Sequence, residues 1–174
     1  VELLLDNATK QIEDNPPEFD ATDADFREIL ASAYQSLGKY NKSITHQRRV
    51  IDLREVIVGP ENLPFADSLH QLAAALWWNG QYEEAAPLYE RSLELRKKLH
   101  GQRLDAERLA SKKPATTVTP VDHADIAMSL THLAACRLKQ GNLDEAIKNY
   151  RLALDMRRRM QGSTSPEVAA SINN

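Results

Sequence analysis

The chain has 174 residues, 42% hydrophobic and 27% charged, with a formal net charge of -3. That balance suits one or two soluble, core-forming units and gives no global pull toward nucleic acid. No apolar run approaches the roughly 18 residues needed to cross a bilayer, and the acidic opening VELLLDNATKQIEDNPPEF lacks a basic secretory start. A single cysteine, Cys136, precludes an internal disulfide, so a reducing, cytoplasmic setting is expected. Charge is uneven: the first 25 residues hold eight acids against one base, Lys10.

Taken in chain order, residues 1–15 read as a helix. Leu4, Leu5, Ala8 and Ile12 form a stripe that Pro16-Pro17 terminates. This helix is expected to cap the array or to end a preceding, degenerate repeat, with its apolar face covering the next unit. Three segments then fall into register: LASAYQSLGKYNKSITHQRRVIDLREVIVG, LAAALWWNGQYEEAAPLYERSLELRKKLHG and LAACRLKQGNLDEAIKNYRLALDMRRRMQG. Turn glycines stand at Gly38, Gly80 and Gly141, and closing glycines at Gly59, Gly101 and Gly162. The first two units are offset by 42 residues and the next two by 61, which places a 19-residue insertion between Gly101 and Asp122.

Each unit is predicted as two amphipathic helices. In the middle unit, Leu69, Leu72, Ala73 and Leu76 recur at helical spacing, and Asn79-Gly80 ends that helix. A second helix is predicted from about Tyr82 to His100, closed by Gly101, with Lys97 and Lys98 suiting its negative pole. Ala31, Ala73 and Ala134 on first helices, and Ser43, Ala85 and Ala146 on second helices, permit close approach; larger side chains there would cost roughly 1–3 kcal/mol in overpacking. The repeats are assigned to residues 24–59, 66–101 and 122–162, with an insertion over 102–121 and the start of a fourth, truncated repeat over 163–174. The chain is therefore expected to be a fragment of a longer array. The first unit departs from the pattern at Arg27, Ser43 and Gln47, where the others carry apolar, alanine and tyrosine residues, and should be the least well packed. In the third, Arg137 stands where Tyr34 and Leu76 stand in the others.

Leu-Ala, then Gly-x-Tyr/Leu-x-x-Ala, then Tyr and Leu on the second helix resembles the tetratricopeptide repeat (TPR). The 42-residue period, His123-Ala-Asp-Ile-Ala and the endings LRKKLHG and MRRRMQG resemble the kinesin light chain subclass. This resemblance covers about residues 24–174. It implies an all-α, right-handed superhelical solenoid of antiparallel helix pairs and a scaffold that binds a protein or linear peptide. The expected binding surface is the concave face lined by first helices, at Glu28, Ser32 and Gln35 in the first unit. It continues through Asp67, His70, Gln71, Ala74, Trp77 and Trp78, then Met128, Thr131, His132, Leu138 and Lys139, to Asn173 and Asn174. The neighbouring tryptophans are separated by roughly 100 degrees of helical rotation, so only one fits a given core slot. Alternative readings are self-association through the terminal repeats, or a regulatory domain within a multidomain signalling protein.

No chemical motif rises above this background. Five histidines (His46, His70, His100, His123, His132) sit in different units without metal-ligand spacing, so neither a metal nor a cofactor is assigned. Glu83-Glu84 and Asp144-Glu145 fall at helix first turns, where they complement the dipole, and no phosphate loop or nucleophile elbow is present, which argues against an enzyme. Thr119-Pro120 in the insertion offers a candidate proline-directed phosphorylation site, with Ser111, Thr116 and Thr117 as weaker ones. The basic clusters Arg96-Lys97-Lys98 and Arg157-Arg158-Arg159, with Arg48, Arg49 and Arg54, read as a solvated face rather than a nucleic-acid surface.

Overall fold

The computed structural model describes residues 1–17, 20–111 and 123–161. Thr116, Thr117, Thr119, Asn173 and Asn174 lie outside them. The described residues form helices and no strand: α1 (Glu2–Asp14), α2 (Asp20–Ser36), α3 (Tyr40–Val58), α4 (Leu63–Trp78), α5 (Tyr82–Ser111), α6 (Ala124–Lys139) and α7 (Leu143–Gln161). Two compact units divide the chain, Val1–Leu88 and Tyr89–Asn174.

In the first unit α2 packs on α3 and α3 on α4. Tyr34, Val50, Phe65, Leu69 and Leu76 fill its core, and Ala31, Ser43, Ala73 and Ala85 have no exposed surface, as close helix approach requires. In the second unit α6 packs on α7 around Ile126, Leu130, Ala134, Cys136, Ala146 and Ala153. Both units turn their helix pairs by one device. The amides of Lys39, Gln81 and Asn142 bond back to the carbonyls of Tyr34, Leu76 and Arg137 at 2.8–2.9 Å, past left-handed Gly38, Gly80 and Gly141.

Several expectations are corrected. Gly101 does not close α5, which runs on to Ser111. The residues after it, QRLDAERLA, are good helix formers, whereas Gly59 is followed at once by Pro60. Lys97 and Lys98 therefore lie well inside a helix rather than at its negative end. The apolar stripe of α1 is covered only in part: Leu5, Ala8 and Ile12 are half-buried, no residue of the helix is fully buried, and Leu4 is 71% exposed. Beside them Glu2, Asp6 and Thr9, one helical face, meet α2 and α3: Lys42 donates to Asp6 at 2.6 Å and Lys39 pairs with Glu2 at 2.8 Å. The Tyr34 hydroxyl donates to Asp6 at 2.7 Å, and the Thr9 hydroxyl sits 3.1 Å from both Tyr34 and His46.

The departures in the first repeat have a polar outcome. Arg27 pairs with Asp23 at 2.7 Å, while buried Ser43 Oγ, His46 Nδ1 and Gln47 Oε1 find no hydrogen-bond partner. Arg137, in the second unit, reaches Glu90 on α5 and Glu145 on α7, the latter at 2.9 Å.

The basic face is not uniformly solvated. Lys97, Lys98, Arg158 and Arg159 are exposed, but Arg96 is only 3% exposed. Its guanidinium donates to the Asp125 carbonyl at 3.0 Å and to Ser129 Oγ at 2.6 Å. Arg54, 42 residues earlier, donates in the same way to the Pro64 carbonyl at 3.1 Å and to Ser68 Oγ at 2.7 Å. These arginines are repeat-building residues, held by charge-assisted hydrogen bonds.

Candidate functional site

The first unit contains a polar cleft of about 280 Å³. Glu28, Ser32, Gln35 and Ser36 of α2 form one wall, Gln71 of α4 faces them, and Gln47 of α3 lines it between them. Three of the expected concave-face residues on α2 and one on α4 are thus brought together. The Glu28 carboxylate is held by Arg54 at 2.5 Å, which fixes the negative wall. Gln47 was not among the expected residues because it belongs to a second helix. It is 2% exposed, and its Oε1 is an acceptor with no partner. The signal lay in its register: Gln47 stands where Tyr89 and Tyr150 stand in the other repeats, and the slimmer side chain leaves room for the cleft.

Other expected residues of the first unit lie elsewhere. His70 is buried, and Asp67 and Ala74 are half-buried. Trp77 and Trp78 do not line the cleft. Trp78 is 56% exposed and stacks on Tyr40 with ring centroids 6.3 Å apart. Trp77 is half-buried, meets Trp78 edge to face at 4.8 Å, and approaches Tyr82 at 6.1 Å. Four aromatic rings therefore gather at the turn end of α4, against the start of α3 and α5.

In the second unit Met128, Leu138 and Lys139 are exposed on α6, with Thr131 and His132 half-buried between them. The His132 ring lies 5.6 Å from that of Tyr89. Burial holds its pKa below the ordinary imidazole value, helped by Arg157 and Arg96, and burial pushes the Tyr89 phenol up.

The histidines do not all stay apart. His100 on α5 and His123, the N-cap of α6, stack face to face with centroids 3.7 Å apart, and Asp125 completes a group whose ligand atoms all lie within 4.8 Å of one another. Metal-ligand spacing was invisible in the sequence because the insertion separates the two histidines. Burial, reinforced by His123 and Arg103, lowers the pKa of His100, so its imidazole is neutral at neutral pH. A larger hollow, about 470 Å³, runs along Asp144, Ile147, Arg151 and Asp155, all on the outer face of α7.

The tetratricopeptide repeat family matches residues 26–98 and 125–174. No curated protein matches the chain significantly. Solved structures do. A kinesin light chain-like protein of Podosopora anserina with nearly identical TPR-like repeats superposes with a TM-score of 0.70 at 20% identity, covering 97% of this chain and 70% of that one. BtubC (BKLC) from P. vanneervenii gives 0.65 at 16% identity, covering 91% of this chain and 56% of its own. The TPR domain of Arabidopsis FLU gives 0.60 at 16% identity over 78% and 95%. At these identities the likeness carries the fold and not the partner.

Proposed function

Since the chain belongs to the tetratricopeptide repeat family, we propose that it is a protein-interaction module that takes an extended peptide segment along its first helices. The observation that supports this reading most is the unfilled acceptor of Gln47 in the polar cleft. A buried amide oxygen without a partner forfeits free energy that an incoming donor restores. Peptide N–H groups, or a side-chain amide or hydroxyl, are donors of the right size. Gln35, Gln71 and Ser32 carry both donors and acceptors around it, so the cleft suits a peptide main chain and neutral polar side chains rather than an anion. A cytoplasmic setting accords with the buried free thiol of Cys136.

The test is selection from a library of unstructured peptides on the purified chain, followed by affinity measurement on variants. Gln47→Leu and Gln71→Ala should each weaken the selected peptides by about tenfold, the effect of one or two lost hydrogen bonds. Selected peptides that bind these variants as tightly as the parent would remove the cleft from the reading. Trp78→Ala should matter only for peptides long enough to reach the aromatic group.

A second reading, self-association, draws on α7, where Leu143, Ile147 and Leu152 are each about half exposed. Light scattering across the micromolar range discriminates: a mass that stays monomeric removes it.

A further inference from the structure

The peptide cleft makes no use of His100, His123 and Asp125. His100 lacks the pairing expected of a buried polar group. His100 is 3% exposed, yet its Nε2 has no hydrogen-bond partner, and the nearest carboxylate oxygen, Asp125 Oδ2, is 3.9 Å away. His123 Nδ1 accepts the Asp125 amide at a long 3.3 Å while facing Asp125 Oδ2 at 3.2 Å. That approach of a ring nitrogen to a carboxylate oxygen calls for a positive centre between them, a proton on Nδ1 or a metal ion in its place.

We propose that His100, His123 and Asp125 form a binding site for a divalent transition metal ion of the zinc class, which ties α5 to the N-terminus of α6. Two imidazoles and one carboxylate are the donor set of zinc and its first-row neighbours, whereas calcium and magnesium require oxygen donors throughout. An ion about 2.0–2.2 Å from each donor needs donors roughly 3–3.5 Å apart. His123 Nδ1 and Asp125 Oδ2 already meet that spacing at 3.2 Å. His100 Nε2 must close from 3.9 Å by rotating its ring out of the stack, so that its in-plane lone pair converges with the others. The ion displaces the weak amide bond to His123 Nδ1. His123 and Asp125 are half-exposed, which leaves the fourth position to water.

The surrounding structure holds the ligands in place. Arg96 bonds the Asp125 carbonyl and Ser129, which are in the first turns of α6, and so seats Asp125 beside α5. The positive charge of Arg103 and Arg96 near His100 keeps the affinity below that of a four-ligand structural zinc site. The bound ion closes the chain between residues 100 and 123 into a loop, so binding stabilises the second unit by mass action.

The experiment titrates Zn²⁺ into the EDTA-treated full chain by calorimetry and follows thermal unfolding in parallel. One ion per chain and a raised melting temperature are expected. His100→Phe keeps the ring and its burial without a ligand nitrogen, and His123→Asn keeps a capping side chain. Each should weaken Zn²⁺ binding at least about tenfold and abolish the thermal shift. Absence of saturable binding to the parent chain, or unchanged binding in both variants, overturns the site. Cobalt(II) supplies a readout on the parent chain alone. Nitrogen and oxygen coordination gives ligand-field bands without thiolate charge transfer, whereas a charge-transfer band would place the ion on Cys136 and equally overturn the proposal.

Discussion

The link from α3 to α4 in the first unit and the link from α5 to α6 in the second perform the same task with opposite means. In the first, Gly59 at φ 77° and ψ 173° turns the chain, and Asn62 captures it again. The Asn62 amide donates to the Val58 and Gly59 carbonyls at 2.9 and 2.7 Å, and its Oδ1 accepts from the Phe65 amide at 2.8 Å. In the second, α5 continues ten residues past its glycine to Ser111. Yet the arginine brace is the same at both places, within 0.1 Å: Arg54 to Pro64 and Ser68 at 3.1 and 2.7 Å, Arg96 to Asp125 and Ser129 at 3.0 and 2.6 Å. The seating of each first helix is therefore set by the side-chain brace and small-residue packing. Two links of different length and conformation thus accompany one and the same brace.

The sharpest way to break this comparison is to remove the brace. Arg96→Ala should cost about 2–3 kcal/mol in urea unfolding, because two charge-assisted hydrogen bonds and a buried aliphatic stem are lost together. Arg54→Ala should cost less, about 1–2 kcal/mol, although it also loses the Glu28 pair, since its side chain is 15% and that of Glu28 36% exposed and water can replace part of what they exchange. Equal losses would mean that burial does not separate the two braces. The glycines should then differ in sign. Gly59→Ala forces a side chain into a backbone region that is almost exclusive to glycine, at a cost of about 1–3 kcal/mol. Gly101→Ala replaces glycine within a helix and should gain about 0.5–1 kcal/mol. A loss at Gly101 would show that the helix ends there after all.

Much of this was legible from register. Ala31, Ala73 and Ala134, like Ser43, Ala85 and Ala146, recur at fixed offsets because repeat packing admits only small side chains there, and a periodic requirement leaves a periodic trace. The fate of α5 was legible in the residues just beyond each glycine: proline after Gly59, helix formers after Gly101. Other features left no local trace. The burial of Arg96 among exposed Lys97 and Lys98 depends on Ser129, across the insertion. The docking of α1 through Glu2, Asp6 and Thr9 depends on Lys39, Lys42 and Tyr34, and polar faces carry no hydrophobic period. Of the expected groove, Glu28, Ser32, Gln35 and Gln71 do converge, since i, i+4 and i+7 positions of one helix share a face. His70 does not, because face assignment alone says nothing about the depth to which a neighbouring helix covers it.

The smallest predicted effect concerns pH, and each unit has its own imidazole to show it. Burial lowers the pKa of His46 in the first unit below its ordinary 6.5, with Arg27 adding to the effect and Glu13 and Asp23 opposing it. Burial does the same to His132, and to His100, in the second. In each case the unfolded chain takes up a proton near pH 6.5 while the folded chain resists it, so the unfolded state binds more protons and gains on acidification. Stability is thus full above pH 6.5 and is lost as pH falls below that value toward the depressed folded pKa. The carboxylates act in a separate, more acid window. Hydrogen bonds from Lys39 and Lys42 hold Glu2 below its ordinary 4.5, and those from Lys42 and Tyr34 hold Asp6 below its ordinary 3.8. Melting temperatures measured between about pH 7.5 and about pH 5 therefore isolate the imidazoles, which titrate before the carboxylates do. His46→Phe should flatten one part of that decline and His132→Phe another, each leaving the remainder. If His132→Phe alone abolishes the decline, the stacked and hydrogen-bonded His46 is not held neutral by its burial, and its unpaired Nδ1 has found a donor or a proton that the packing of α1, α2 and α3 leaves out.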